Sequence, residues 1–299
     1  MLECRIWLMT VLTFLVMIGN STLTQAGSKP SPELALHLTG IANLARPSPM
    51  VTVPAGTFFY GSKHVSTSPY GNWTPFDDTE LPQHQVWLDT YEIDRDEVSL
   101  GEYLIFLHQR NHHPSDELQK LLWHVITIHS IPDETLARWP VLYVTWTEAK
   151  EFCAARNARL PTEAEWEKAA RGAEGYLFPW GETTPGSSLA MFGQHHVHEI
   201  PILAAVDSLD QGKSPYGLHH MAGNVAEWVQ DWFGPDYYAY MPERNPPGPA
   251  TGRYKGVRGG SWKSARIMLR TATRGGASPD QRSATIGFRC TRPSIKSAN

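Results

Sequence analysis

The chain has 299 residues, 41% apolar and 19% charged, enough to bury a full core and too apolar for a disordered protein. Lys plus Arg number 26 and Asp plus Glu 30, a formal charge of −4 with no long charge run, so a nucleic-acid grip through clustered cations is not expected. Gly (24), Pro (23) and Trp (11) predict a loop-rich fold held by aromatic anchors, and three cysteines exclude a multi-disulfide scaffold or a four-cysteine zinc site.

Residues 6–18, IWLMTVLTFLVMI, are an apolar run behind Arg5. At about 1.5 Å per helical residue it spans roughly 20 Å, short for a bilayer crossing but suited to a leader peptide. Small residues close Thr24-Gln25-Ala26. Residues 1–26 therefore read as a cleaved export signal, with an uncleaved short anchor as the alternative. No later stretch is apolar enough to span a membrane, so a periplasmic or secreted protein is expected. Cleavage would leave Cys153 and Cys290, 137 positions apart. In an oxidising space they read as a disulfide, with two free thiols as the alternative.

Residues 27–49 carry Pro and Ser at both ends and read as a linker around a short helical piece, placing the domain start at Met50. Residues 50–61 predict two short strands, and 84–93 alternate with Val86, Leu88 and Tyr91 inward. Ser99 and Glu102 form a capping box for a helix to about 109. Leu118, Leu121, Leu122, Val125 and Ile126 give helical spacing behind Ser115. Thr145 or Thr147 starts a further helix. Thr162 and Glu165 box the next, which Gly172 stops. From 173 onward, short aromatic segments alternate with Gly, Pro, Asn and Asp. Trp166, Trp180, Trp228, Trp232 and Trp262 read as buried anchors, and Arg171, Arg258, Arg274 and Arg289 as loop braces.

The motifs RLPTEAEWE (159–167), GNVAEW (223–228), RGGSW (258–262) and GFRC (287–290) stand in one order. With MVTVPAGTFFYGS (50–62), they make the chain resemble the formylglycine-generating-enzyme, or sulfatase-modifying factor, family. The resemblance covers 50–293, with 294–299 left as a tail. It implies a single-domain, loop-rich α+β fold, a variant related to C-type lectins. It also implies an oxidase that converts a substrate cysteine with O2 and a Cu(I) ion held by two thiols. Cu(I) is soft and prefers thiolates. At the matching positions this chain has Ser264 and about Leu269, neither of them a thiol. Cys153 and Cys290 match a structural disulfide of the family's eukaryotic members. Copper at a dithiol site, and formylglycine production, are therefore not expected.

The resemblance further implies substrate-groove roles for Ser261 and Arg274. It implies a Ca2+ loop with Gly223, Val225 and Glu227 as ligands, although His220 replaces the usual Asn or Asp oxygen. His196 and His198 would share one face of a strand and are transition-metal candidates beside His195. His108, His112 and His113 form a second group. The function expected is a binding or accessory subunit for another exported protein or complex. The alternative is different chemistry on the same scaffold, as in relatives tied to siderophore maturation or nitrite-reductase operons. Glu227, His219 and His220 would then be the acid or base candidates. The stretch 107–139, longer than the family usually needs, offers an amphipathic helix that either docks a partner or packs on the domain.

Overall fold

The computed structural model describes residues 27–63, 77–194 and 200–294. The chain opens with α1 (Pro32–Asn43), then β1 (Met50–Val53), β2 (Gly56–Tyr60), β3 (His84–Leu88) and β4 (Tyr91–Asp94). A helical stretch follows: α2 (Leu100–Gln109), α3 (Asp116–Thr127), α4 (Asp133–Ala137), α5 (Trp146–Ala155) and α6 (Glu163–Arg171). The second half holds β5 (Ala226–Trp232), β6 (Lys255–Arg258), β7 (Arg274–Ala277), β8 (Ile286–Gly287) and β9 (Thr291–Pro293).

Among the described residues these strands form three small sheets. One has the order β1-β4-β9 and is antiparallel throughout. The second is the β2-β3 hairpin, whose β3 is also bridged at Trp87 to Arg244. The third has the order β7-β6-β5-β8, with β5 and β8 parallel. Long loops join them, as the Gly and Pro content requires.

Helix starts follow their local chemistry. Ser99 with Glu102, Thr145 with Glu148 and Thr162 with Glu165 each form a reciprocal capping box. Thr145, not Thr147, begins α5. Gly172 ends α6 at φ 71°, a backbone state that favours glycine. Ser115 caps α3, and its Leu118, Leu121, Leu122 and Val125 turn into the core. The amphipathic face of α3 thus packs on the domain, leaving Trp123 and Ile128 outside.

The short helical piece expected within 27–49 is α1, and it is packed on the domain. Leu34, Leu38 and Ile41 are buried, and α1 packs on α2 and α4. The Ser-Pro pair that suggested a linker is a helix start: the Ser31 hydroxyl accepts from Leu34 N, and Pro32 occupies the first turn. The packed body therefore begins before Met50. The 84–93 segment also splits in two at Asp89-Thr90, while Val86, Leu88 and Tyr91 all point inward as expected.

Cys153 at the end of α5 is joined to Cys290, just before β9, with Cα atoms 5.5 Å apart. Both lie in the larger core with Tyr103, Phe152, Trp228 and Phe288. Trp166, Trp228 and Trp262 are fully buried anchors. Trp180 and Trp232 are only half-buried, a correction to the reading of all five as core. Among the described residues no helix is long and apolar enough to cross a membrane.

Candidate functional site

The RGGSW turn leaves β6 through Gly259 and Gly260, both at positive φ (90° and 67°). A Cβ on Gly260 would meet Met268 O at 3.0 Å, and Ser264 Oγ and Leu269 Cδ2 each at 3.3 Å. Ser264 and Leu269 therefore both pack beside Gly260. Ser261 N donates to Ser264 Oγ at 2.9 Å, and the two hydroxyls stand 3.4 Å apart. Leu269 is buried with Phe178, Ala190 and Ala222, beside Trp180 and Phe192. Phe178 and Trp180 stack at 5.5 Å.

Residues 191–194 form a wall of this site through backbone bonds. Asn224 N donates to Met191 O (2.8 Å), Gly193 N to Ser264 O (3.0 Å) and Gln194 N to Trp262 O (2.8 Å). A Cβ on Gly223 would lie 2.3 Å from Met191 O, so the GNVAEW loop needs glycine there to approach.

The donor set at Gly260 does not fit copper. It offers a hydroxyl and an isobutyl group where Cu(I) prefers thiolates, and both cysteines among the described residues are in the disulfide.

Arg274 is held inside the fold by its partners. It is 1% exposed and grips Glu163 with two bonds, Nε–Oε1 at 2.7 Å and Nη2–Oε2 at 2.8 Å. Its Nη1 donates to Thr79 O (2.6 Å) and Gly234 O (3.2 Å). Burial alone would raise the Glu163 carboxyl, but the Arg274 guanidinium outweighs it and holds the group below its usual range. Arg258 joins the same knot through Glu163 and Glu167, and Arg171 ties Glu167 to Gly61 O. These arginines are braces, as their positions between loops suggested.

Glu227, expected to bind Ca2+, is also committed. Arg289 Nη2 and Nε donate to its two oxygens at 2.7 Å each, and Trp166 Nε1 adds a bond at 2.8 Å. Arg289 further donates to the carbonyls of Asp94, Arg95 and His219. A guanidinium thus balances the one expected carboxylate ligand. At position 220 an imidazole Nε2–H donates to Ala205 O at 3.0 Å, and burial pushes that ring down to about 4, so it is neutral. Of the three expected ligands, the Glu227 carboxylate is therefore committed to a guanidinium.

Glu97 gave no signal in the sequence. It sits in the charged run Asp94-Arg95-Asp96-Glu97, which reads as solvent-facing. It is fully buried and accepts from Asn224 Nδ2 (2.6 Å) and Val225 N (3.2 Å), fixing the GNVAEW loop from below. Burial, then the negative charge of Glu227, raises its carboxyl well above the usual range.

His219 Nδ1 faces Asp96 at 2.6 Å and its Nε2 faces Asp210 at 2.9 Å. Glu227, His219 and His220 are therefore neighbours, but each is already bonded. Among the described residues no group of three or more His, Cys, Asp or Glu could hold a metal ion. His108, His112 and His113 line a 410 Å³ groove between α1 and α2 without converging. His195, His196 and His198 lie outside the described residues.

The sequence pattern of the sulfatase-modifying factor enzyme 1-like domain matches residues 40–294. The chain belongs to that family. This sulfatase-modifying-factor-like protein is 30% identical to a formylglycine-generating enzyme of Streptomyces coelicolor, over 89% of this chain and 96% of that one. It is 36% identical to the serine/threonine-protein kinase pkn1 of Chlamydia pneumoniae over 92% of this chain, and spans only 43% of that relative's length. In three dimensions it is similar to PvdO from Pseudomonas aeruginosa, with a TM-score of 0.64 at 22% identity, covering 83% of this chain and 99% of that one. That likeness supports the single-domain, loop-rich α+β fold.

Proposed function

We propose that this family member is an exported protein that does not make formylglycine and serves as a binding or accessory subunit for another exported protein or complex. One observation carries the reading: Ser264 and Leu269 both lie beside Gly260, and the resemblance places the copper-binding thiols at Ser264 and about Leu269. A protonated hydroxyl and an alkyl group neither hold Cu(I) nor cycle electrons. The surrounding polar groups support it too. An enzyme of different chemistry would need an acid or base free beside Ser264. Glu227 and Arg289 neutralise each other in the core, and both rings of His219 and His220 are hydrogen-bonded elsewhere.

The test pairs two proteins. Purified mature protein is supplied with copper, O2 and a cysteine-containing sulfatase peptide, beside a doubly substituted Ser264→Cys, Leu269→Cys chain. The expected result is no aldehyde product from the native chain by mass spectrometry, and tight Cu(I) binding only in the double variant. Peptide oxidation by the native chain sinks the proposal.

A further inference from the structure

We propose that His219 is a pH-operated latch: its imidazolium, gripped by a carboxylate at each nitrogen, holds the turn 208–211 against the body, and loss of one ring proton frees that turn.

The ring is 2% exposed. Its Nδ1 lies 2.6 Å from Asp96 Oδ1, and its Nε2 lies 2.9 Å from Asp210 Oδ1. A neutral imidazole carries one N–H and one lone pair, so it can donate to only one of these oxygens. Its other nitrogen would aim a lone pair at a negative charge. Both carboxylates are ionised. Burial opposes this at Asp96, but hydrogen bonds from His219 and Arg95 outweigh it and hold the carboxyl below its usual range. Lys213, then His219, holds Asp210 down at about 2. The arrangement is therefore complete only with a proton on each nitrogen.

The two ends of the latch differ. Asp96 is buried and fixed by Arg95 and Ser48. Asp210 stands on the surface, in a single helical turn, with Lys213 at 2.7 Å. When the Nε2 proton passes to water, the ring keeps its Nδ1–H on Asp96. Asp210 then faces a lone pair and can swing away with Lys213 as its partner. Leu209, just before that turn, sits at φ 59°, a left-handed state that its side chain disfavours, so the turn needs a tie to stay in place. Arg138 holds Asp207 on one side, and Gly212 is pressed against Leu189 O on the other. The freed piece is thus short.

The other charged groups around the ring are paired. Arg289 donates to the His219 carbonyl and is balanced by Glu227, with Glu97 behind it. The neighbouring His220 ring, pushed by burial down to about 4, is neutral from pH 6 upward.

The experiment places a nitroxide at Gln211→Cys, an exposed position, and follows its mobility by electron spin resonance at pH 6 and pH 9.5. The expected result is a label at least threefold more mobile at the higher pH. A second label at the exposed Lys120→Cys on α3 should not respond. Adding Asp210→Asn should abolish the response at 211, because an amide can face either form of the nitrogen. Nitrogen chemical shifts of His219 at pH 6 should show both ring atoms protonated. Equal mobility of the 211 label at the two pH values overturns the proposal. So does a response that survives Asp210→Asn, a single protonated nitrogen at pH 6, or a matching response at 120, which would be general loosening.

Discussion

Burial and two neighbouring carboxylates act on Asp231 in the same direction. The side chain is 4% exposed, with Glu163 and Glu165 close by, and its carboxyl is raised well above the ordinary 3.8. The raised value means that the folded state holds the proton more tightly than the unfolded chain. Its stabilising contribution is complete below about pH 4, the unfolded value, and fades as pH rises through the folded one. Asp231 Oδ2 accepts from Glu163 N at 2.9 Å, a bond an amide oxygen can keep. Asp231→Asn should therefore match the native protein near pH 4 and exceed it in thermal midpoint at pH 8. Parallel melting curves across that range check it, and a lower midpoint at pH 8 counts against it. At this scale the sequence was legible where chemistry is typed by residue. Ser264 and Leu269 cannot be thiols wherever they sit. It was silent on Glu97 and Asp231, because a carboxylate shows its burial only through partners distant along the chain.

Elements read well when their signals are local. The three capping boxes and the Leu118 to Val125 stripe need only a few neighbouring residues, and all four helices form where expected. α1 was harder because Pro and Ser serve linkers and helix starts alike. Its contribution can be measured. Leu34, Leu38 and Ile41 are at most 9% exposed. Burying three such side chains is worth about 1.5–3 kcal/mol each, against a typical domain stability of about 5–15 kcal/mol. Their removal also uncovers Leu104 and Leu107 on α2. A chain starting at Met50 should lose most of its stability, falling by roughly 5 kcal/mol or more in chemical denaturation. A truncated chain with the native midpoint would show that α1 is only an appendage.

The whole molecule is closed by contacts between its ends, and no short window of sequence contains them. β9 pairs with β4 across about two hundred positions, Arg289 reaches the carbonyls of Asp94 and Arg95, and the disulfide spans 137 residues. The disulfide was the one such link open to sequence reasoning, because only two cysteines remain after residue 26. Its effect should be large on stability and small on structure. Closing so long a loop removes chain entropy from the unfolded state, worth on the order of 4–5 kcal/mol. Both sulfur-bearing residues are fully buried among Tyr103, Phe152 and Phe288, whose edge-on ring contacts do not depend on the bond. A Cys153→Ala, Cys290→Ala chain should therefore keep the native near-ultraviolet circular dichroism. Its denaturation midpoint should fall by the equivalent of about 2–5 kcal/mol. Loss of the near-ultraviolet signal would mean that the bond holds the core in place instead of restraining the unfolded chain.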